Sequence, residues 1–152
     1  MRDHLATLLD DFRRYDREVA VVRYQGVRRR ATTYGEIARL AGRFAALLVE
    51  RGIGSGDRVL IWAENGAAWI AAFHGCMLRG VGAVPLDAYG SADFAARVCA
   101  DVSPKLVVGD AALLRQLGDS WTPRSQDRDR GHPDSSWTRR FQERDREHPA
   151  RD

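Results

Sequence analysis

Lysine is nearly missing from this chain. Lys105 is the only one, and arginine supplies the rest of the positive charge, a bias that G/C-rich coding DNA produces as readily as a binding preference does. Cysteine is scarce too. Cys76 and Cys99 stand alone, without CxxC or Cys/His spacing, so the pattern offers neither a disulfide framework nor a zinc ligand set and points to buried, inert thiols in a reducing compartment. No apolar run approaches the roughly 20 residues of a membrane span. The opening residues, MRDHLATLLDDFRRYDRE, place acidic groups in a helical pattern unlike that of a signal peptide. A soluble, cytoplasmic protein is expected. The net charge of +3 is too modest to call for a nucleic-acid partner.

The aliphatic residues stop abruptly after Leu117. From Asp119 to Asp152 there is no Leu, Ile, Val, Met, Tyr or Cys, and eight arginines face eight acidic residues. SWTPRSQDRDRGHP, ending at Pro133, returns as SWTRRFQERDREHP, ending at Pro149. Such a segment has too little apolar surface to offset an ordering cost of about 1–2 kcal/mol per residue for the backbone. Residues 119–152 are therefore expected to form a disordered tail, with one helical turn around Trp137 and Phe141. Its balanced charge argues against a polyanion partner.

What precedes the tail alternates between strand and helix patterns. VAVVRYQG (Val19–Gly26) is a β-rich run ending at a turn glycine. In TTYGEIARLAGRFAALLVERG, Thr33 and Glu36 have capping-box spacing, Ile37, Leu40, Ala41, Phe44 and Leu48 repeat at helical intervals, and Gly52 supplies the stop. DRVLIWA reads as a buried strand. GAAWIAAFHGCMLRG reads as a buried helix that Asn65 could cap, and VGAVPL as a strand. Ser91 is placed to cap ADFAARVCADV; KLVVGD is a further strand and AALLRQL a further helix. Alternation of this kind predicts an α/β fold, a partial parallel sheet with crossover helices.

Few residues suggest chemistry. GIGSGDR (Gly52–Arg58) has the glycines of a phosphate loop but follows a helix and precedes a strand, the reverse of what anion binding at a helix N-terminus needs; a helix C-cap and turn is expected. His74 and Cys76 are two apart on a helix, which separates their faces, so both are expected to fill the core. His4, His132 and His148 have no partner pattern. Asp87 follows a strand, where parallel sheets place functional groups. A turn-forming carboxylate is the expected role.

Two stretches carry a family resemblance. TTYGEI (Thr32–Ile37) and MLRGVGAVPLDAYG (Met77–Gly90), with GDRVLIWAENGAAWIAAFHG between them, resemble the first two core motifs of the AMP-forming adenylating enzymes. That superfamily comprises acyl-CoA synthetases, luciferases and peptide-synthetase adenylation domains, and the likeness is strongest to long-chain fatty acyl-CoA synthetases. It implies that residues 1–118 form part of the N-terminal portion of the family's large domain. It also implies activation of a carboxylate to an acyl-adenylate and transfer to coenzyme A, with ATP, Mg and coenzyme A serving the full-length enzyme. The Ser/Thr/Gly-rich phosphate loop, the nucleotide-binding residues and the catalytic lysine that this chemistry needs are not among these 152 residues. No catalytic, cofactor-binding or metal residue is assigned. The repeated tail is expected to be out-of-frame sequence following a frameshift or early stop, and the chain an N-terminal fragment without activity of its own. Three alternatives stay open: a genuine tail with a binding role, a docking or regulatory module that joins a complementary chain or self-associates through an exposed sheet edge, and a small nucleotide-binding domain using the Asp87 loop.

Overall fold

The computed structural model describes residues 5–118; the expected disordered tail lies outside them. The chain divides into two compact units. One is built on the residues up to Asp57 and on Asn65–Ala83, the other on Arg58–Glu64 and the chain from Val84 onward.

In the first unit a short 3-10 turn leads into helix α1 (Leu8–Arg14), a hairpin of strands β1 (Val19–Gln25) and β2 (Arg28–Thr33), helix α2 (Tyr34–Glu50) and, after the excursion through the other unit, helix α3 (Ala67–Leu78). Helix α2 follows its sequence signals closely. The Thr33 hydroxyl accepts the Glu36 N–H at 3.2 Å while the Glu36 carboxylate accepts the Thr33 N–H at 2.7 Å. The next unpaired donors, the N–H groups of Tyr34 and Gly35, bond to the carbonyls of Glu18 and Asp16. A capping box of this kind is worth about 1 kcal/mol against alanine at the cap. At the other end Gly52 takes φ 65°. Its N–H reaches the Val49 carbonyl and that of Ile53 reaches Leu48 at 2.8 Å, the two bonds of a glycine-terminated helix. Ile37, Ala41, Phe44 and Leu48 are buried, whereas Leu40 is half-buried.

Helix α3 approaches α2 closely because Gly75 has no side chain: a Cβ there would stand 2.9 Å from the Ala41 carbonyl oxygen and 2.8 Å from the Phe44 ring. Phe12 of α1 sits edge-on to Tyr34, centroids 5.1 Å apart. Asn65 does not cap α3. The helix begins after an extended Gly66, with no side-chain cap, and its first turn closes through the Gly66 carbonyl and the Ile70 N–H.

VAVVRYQG does not join the parallel sheet but pairs antiparallel with β2, in a register running from Gln25 opposite Arg28 to Val22 opposite Ala31. Gly26, at φ 59°, makes the turn. The β2 sequence RRRATT gave no strand signal, since three arginines hide the alternation.

The second unit holds a three-stranded sheet ordered β4-β3-β5, with β3 at Arg58–Trp62, β4 at Gly82–Leu86 and β5 at Leu106–Gly109. Strands β3 and β5 run parallel, Val59 opposite Leu106 through Trp62 opposite Gly109. Pro85 lies in the edge strand β4, the place where a missing backbone donor is tolerated. Helix α4 (Ala92–Val102) starts on Ser91, whose Oγ accepts the Phe94 N–H at 3.2 Å, and α5 (Ala111–Leu117) follows β5. Leu60, Trp62 and Val107 of the sheet pack with Ala95 and Cys99 of α4 and with Leu114 and Leu117 of α5. The architecture is the expected α/β one. Among the described residues no helix is long and apolar enough to cross a membrane.

Candidate functional site

Parallel strands collect functional groups at their C-terminal ends, where loops to the next helices converge. Here that rim consists of Trp62–Glu64, Leu86–Ser91 and Gly109–Asp110. The Trp62 indole N–H, on a fully buried side chain, donates to the Asp87 carbonyl at 3.0 Å. The Trp62 carbonyl in turn accepts the Asp110 N–H at 3.2 Å. Asp110 does not cap its own helix; its carboxylate accepts the Glu64 N–H at 2.8 Å and so ties the loop after β3 to the end of β5. Asp87 behaves as its position suggested, its Oδ1 accepting the Tyr89 N–H at 3.0 Å and its carbonyl the Gly90 N–H at 3.0 Å. Both bonds close the turn, and the carboxylate is exposed.

The rim's chemistry follows from this inventory. Its charged side chains, Glu64, Asp87 and Asp110, are all carboxylates. The cationic residues Arg58 and Lys105 stand at the opposite ends of the strands: the Arg58 guanidinium meets the Val102 carbonyl at the end of α4 at 3.4 Å, and the Arg58 carbonyl takes the Lys105 N–H at 2.8 Å. A triphosphate needs positive charge and free N–H donors. The rim's charged side chains are negative, and the N–H groups of Glu64, Tyr89, Gly90 and Asp110 are already bonded. The glycines of Gly52–Arg58 build the end of α2 and a turn in which the Asp57 carboxylate accepts the Gly54 N–H at 3.0 Å, as their order in the sequence required. Among the described residues no group of three or more His, Cys, Asp or Glu side chains is placed to hold a metal ion.

The remaining candidates are structural. His74 is buried, and because its Nδ1 faces the Ile70 carbonyl at 3.0 Å, an acceptor, Nδ1 carries a proton. The ring lies beside Phe12 and Phe73. Cys76 and Cys99 are buried and free, and burial pushes their thiols up to about 12 and about 11. Both should resist a disulfide reagent at pH 8 in the folded chain and react at once in denaturant, which a thiol-release assay reads directly. The same shifts make stability pH-dependent in one direction. The unfolded thiols ionise first, so the stabilisation is complete below about pH 9 and fades as pH rises toward the folded values of about 11 and 12.

Sequence reading missed Trp62 and Asp110, whose roles depend on partners far along the chain.

Residues 9–149 match the family model of the AMP-binding enzymes. The chain belongs to the AMP-binding enzyme family. It is 29% identical over 113 residues to the L-proline–[L-prolyl-carrier protein] ligase of Pseudomonas fluorescens, covering 74% of this chain and 22% of that protein. Among solved structures it resembles VinN, determined in complex with 3-methylaspartate, with TM-score 0.72 and 25% identity over 96% of this chain and 39% of that one. It also resembles a fatty acid AMP ligase from Legionella pneumophila, with TM-score 0.63 and 26% identity over 74% of this chain and 21% of that one. The chain spans 22% of the proline ligase's length and less of the other curated relatives it matches. The fold is that of the N-terminal part of the adenylate-forming domain. The relatives include ligases of several kinds, so the likeness does not single out fatty acyl-CoA synthetases.

Proposed function

We propose that these residues are the N-terminal scaffold of an ATP-dependent ligase that activates a carboxylate as its acyl-adenylate, as long-chain fatty acyl-CoA synthetases do, and that the 152-residue chain alone is not catalytically competent. The observation that carries this reading is the strand rim, where Trp62 bonds to both Asp87 and Asp110 and the charged side chains, Glu64, Asp87 and Asp110, are all carboxylates. ATP, Mg and coenzyme A would be held by family residues that this chain does not contain, and the setting is the cytoplasm. A complementary chain or a second copy would pair along the outer edge of β4, whose one strand neighbour among the described residues is β3.

The alternative of a small nucleotide-binding domain makes a different forecast. Equilibrium dialysis of the purified chain against labelled ATP and Mg should find no saturable retention, even at millimolar nucleotide. Stoichiometric binding at micromolar ATP, lost in Asp87→Ala, would favour the alternative.

A further inference from the structure

The β1–β2 hairpin has a composition that the scaffold reading does not use. From Val19 to Gly35 there is no acidic residue, while Arg23, Arg28, Arg29 and Arg30 crowd the two strands. The turn between the strands ends in Val27, which is 101% exposed; Tyr24 is 70% exposed and Val22 39%. Register places Tyr24 opposite Arg29 and Val22 opposite Ala31. Directly opposed residues share a face of an antiparallel pair, so the two apolar β1 side chains and the Arg29 guanidinium stand together on one side. Arg28 and Arg29 are exposed, and no carboxylate among the described residues pairs with them.

A valine at the tip of a hairpin gains nothing from water, and Arg29 beside Tyr24, with Arg28 next to the tip on the other face, has no carboxylate among the described residues to offset its charge. Both features become favourable against one kind of surface. We propose that the hairpin docks on an anionic lipid bilayer, with Val27 and Tyr24 entering the headgroup–acyl boundary and Arg28 and Arg29 bonding to lipid phosphates. Tyrosine is suited to that boundary, apolar along its ring and polar at its tip. Arginine meets phosphate oxygens through two parallel N–H bonds. A nucleic acid is the poorer partner, because Val27 offers a base neither a stacking face nor a hydrogen bond. With one apolar tip and a few charges, binding is peripheral and reversible.

The test is co-sedimentation of the full chain with vesicles of phosphatidylcholine alone or mixed with phosphatidylglycerol. Binding to the mixed vesicles is expected, at least about tenfold stronger than to phosphatidylcholine alone. Replacing Arg28 and Arg29 together by glutamine should weaken it roughly 25-fold, about fivefold per charge. Val27→Asp should weaken it about tenfold, through lost insertion and added repulsion. All three positions are exposed, so each variant should keep the parent's thermal transition by circular dichroism, and Tyr24→Ser, with an expected intermediate loss, is the substitute if one does not. No sedimentation, equal binding to both vesicle types, unchanged binding by the variants, or tighter binding to duplex DNA than to vesicles would each overturn the proposal.

Discussion

Replacing Gly109 by alanine is expected to destabilise the second unit by about 3 kcal/mol or more, from the addition of one methyl group. A Cβ at this position would fall on the Trp62 carbonyl oxygen, with the carbonyl carbon 2.8 Å away. Neither atom belongs to a flexible side chain. Relief requires β5 to move from β3 at the residue pair that ends their parallel register. That movement would also stretch the bonds from the Asp110 N–H to Trp62 and from the Glu64 N–H to Asp110. The contrasting substitution is Gly42→Ala, on the exposed side of α2 with nothing within 4 Å of the added carbon. It should stabilise by about 0.8–1 kcal/mol through helix propensity. Urea unfolding of the two variants beside the parent measures both, and similar midpoints for all three chains would contradict the assigned packing.

Trp62→Ala should cost more still, about 3–5 kcal/mol for the lost volume and about 1 kcal/mol for the lost hydrogen bond, since the Asp87 carbonyl keeps the Gly90 N–H as a donor. The side chain is fully buried, at the centre of the cluster formed by Leu60, Val107, Ala95, Cys99 and Leu114. A loss of this size rivals the whole stability of a small domain, so the expected result is a chain without a cooperative transition for this unit. Trp62→Phe separates the two contributions. It keeps most of the apolar volume, removes the 3.0 Å bond to Asp87, and should retain a transition at a lower urea midpoint. Equal behaviour of the two variants would mean that the hydrogen bond, rather than the packing, dominates.

These two residues mark the boundary of what could be read from the sequence. Thr33, Glu36 and Gly52 were legible because a capping box and a glycine stop are agreements among residues a few positions apart. The loop Gly52–Arg58 was legible because its place after a helix excluded a phosphate cradle. Strand β2 was not, since its apolar content is low and its evidence is a partner strand. The Asn65 cap failed by one residue, with the helix starting after Gly66 instead. The rim was the least legible part. Glu64 and Asp110 are 46 positions apart and Trp62 and Asp87 are 25 apart, so nothing local distinguishes an aspartate that ties two loops from one that meets a substrate. Asp87 was assigned to its turn by the general habit of aspartate after a strand, and the bond to the Tyr89 N–H is of that kind.

Family membership alone implies an active ligase, whereas the rim implies a scaffold, and the two expectations part on catalysis. Positioned donors and cations are the largest contribution to stabilising a developing charge, and the loss of a single donor already costs roughly 10²–10³ in rate. The measurement that separates them is ATP–pyrophosphate exchange by the purified 152-residue chain, with fatty acids of several lengths and with proline, in the presence and absence of coenzyme A. Exchange indistinguishable from a blank without protein is the predicted result. Carboxylate-dependent exchange that disappears in Asp87→Ala would contradict the scaffold reading and make the strand rim a working active site.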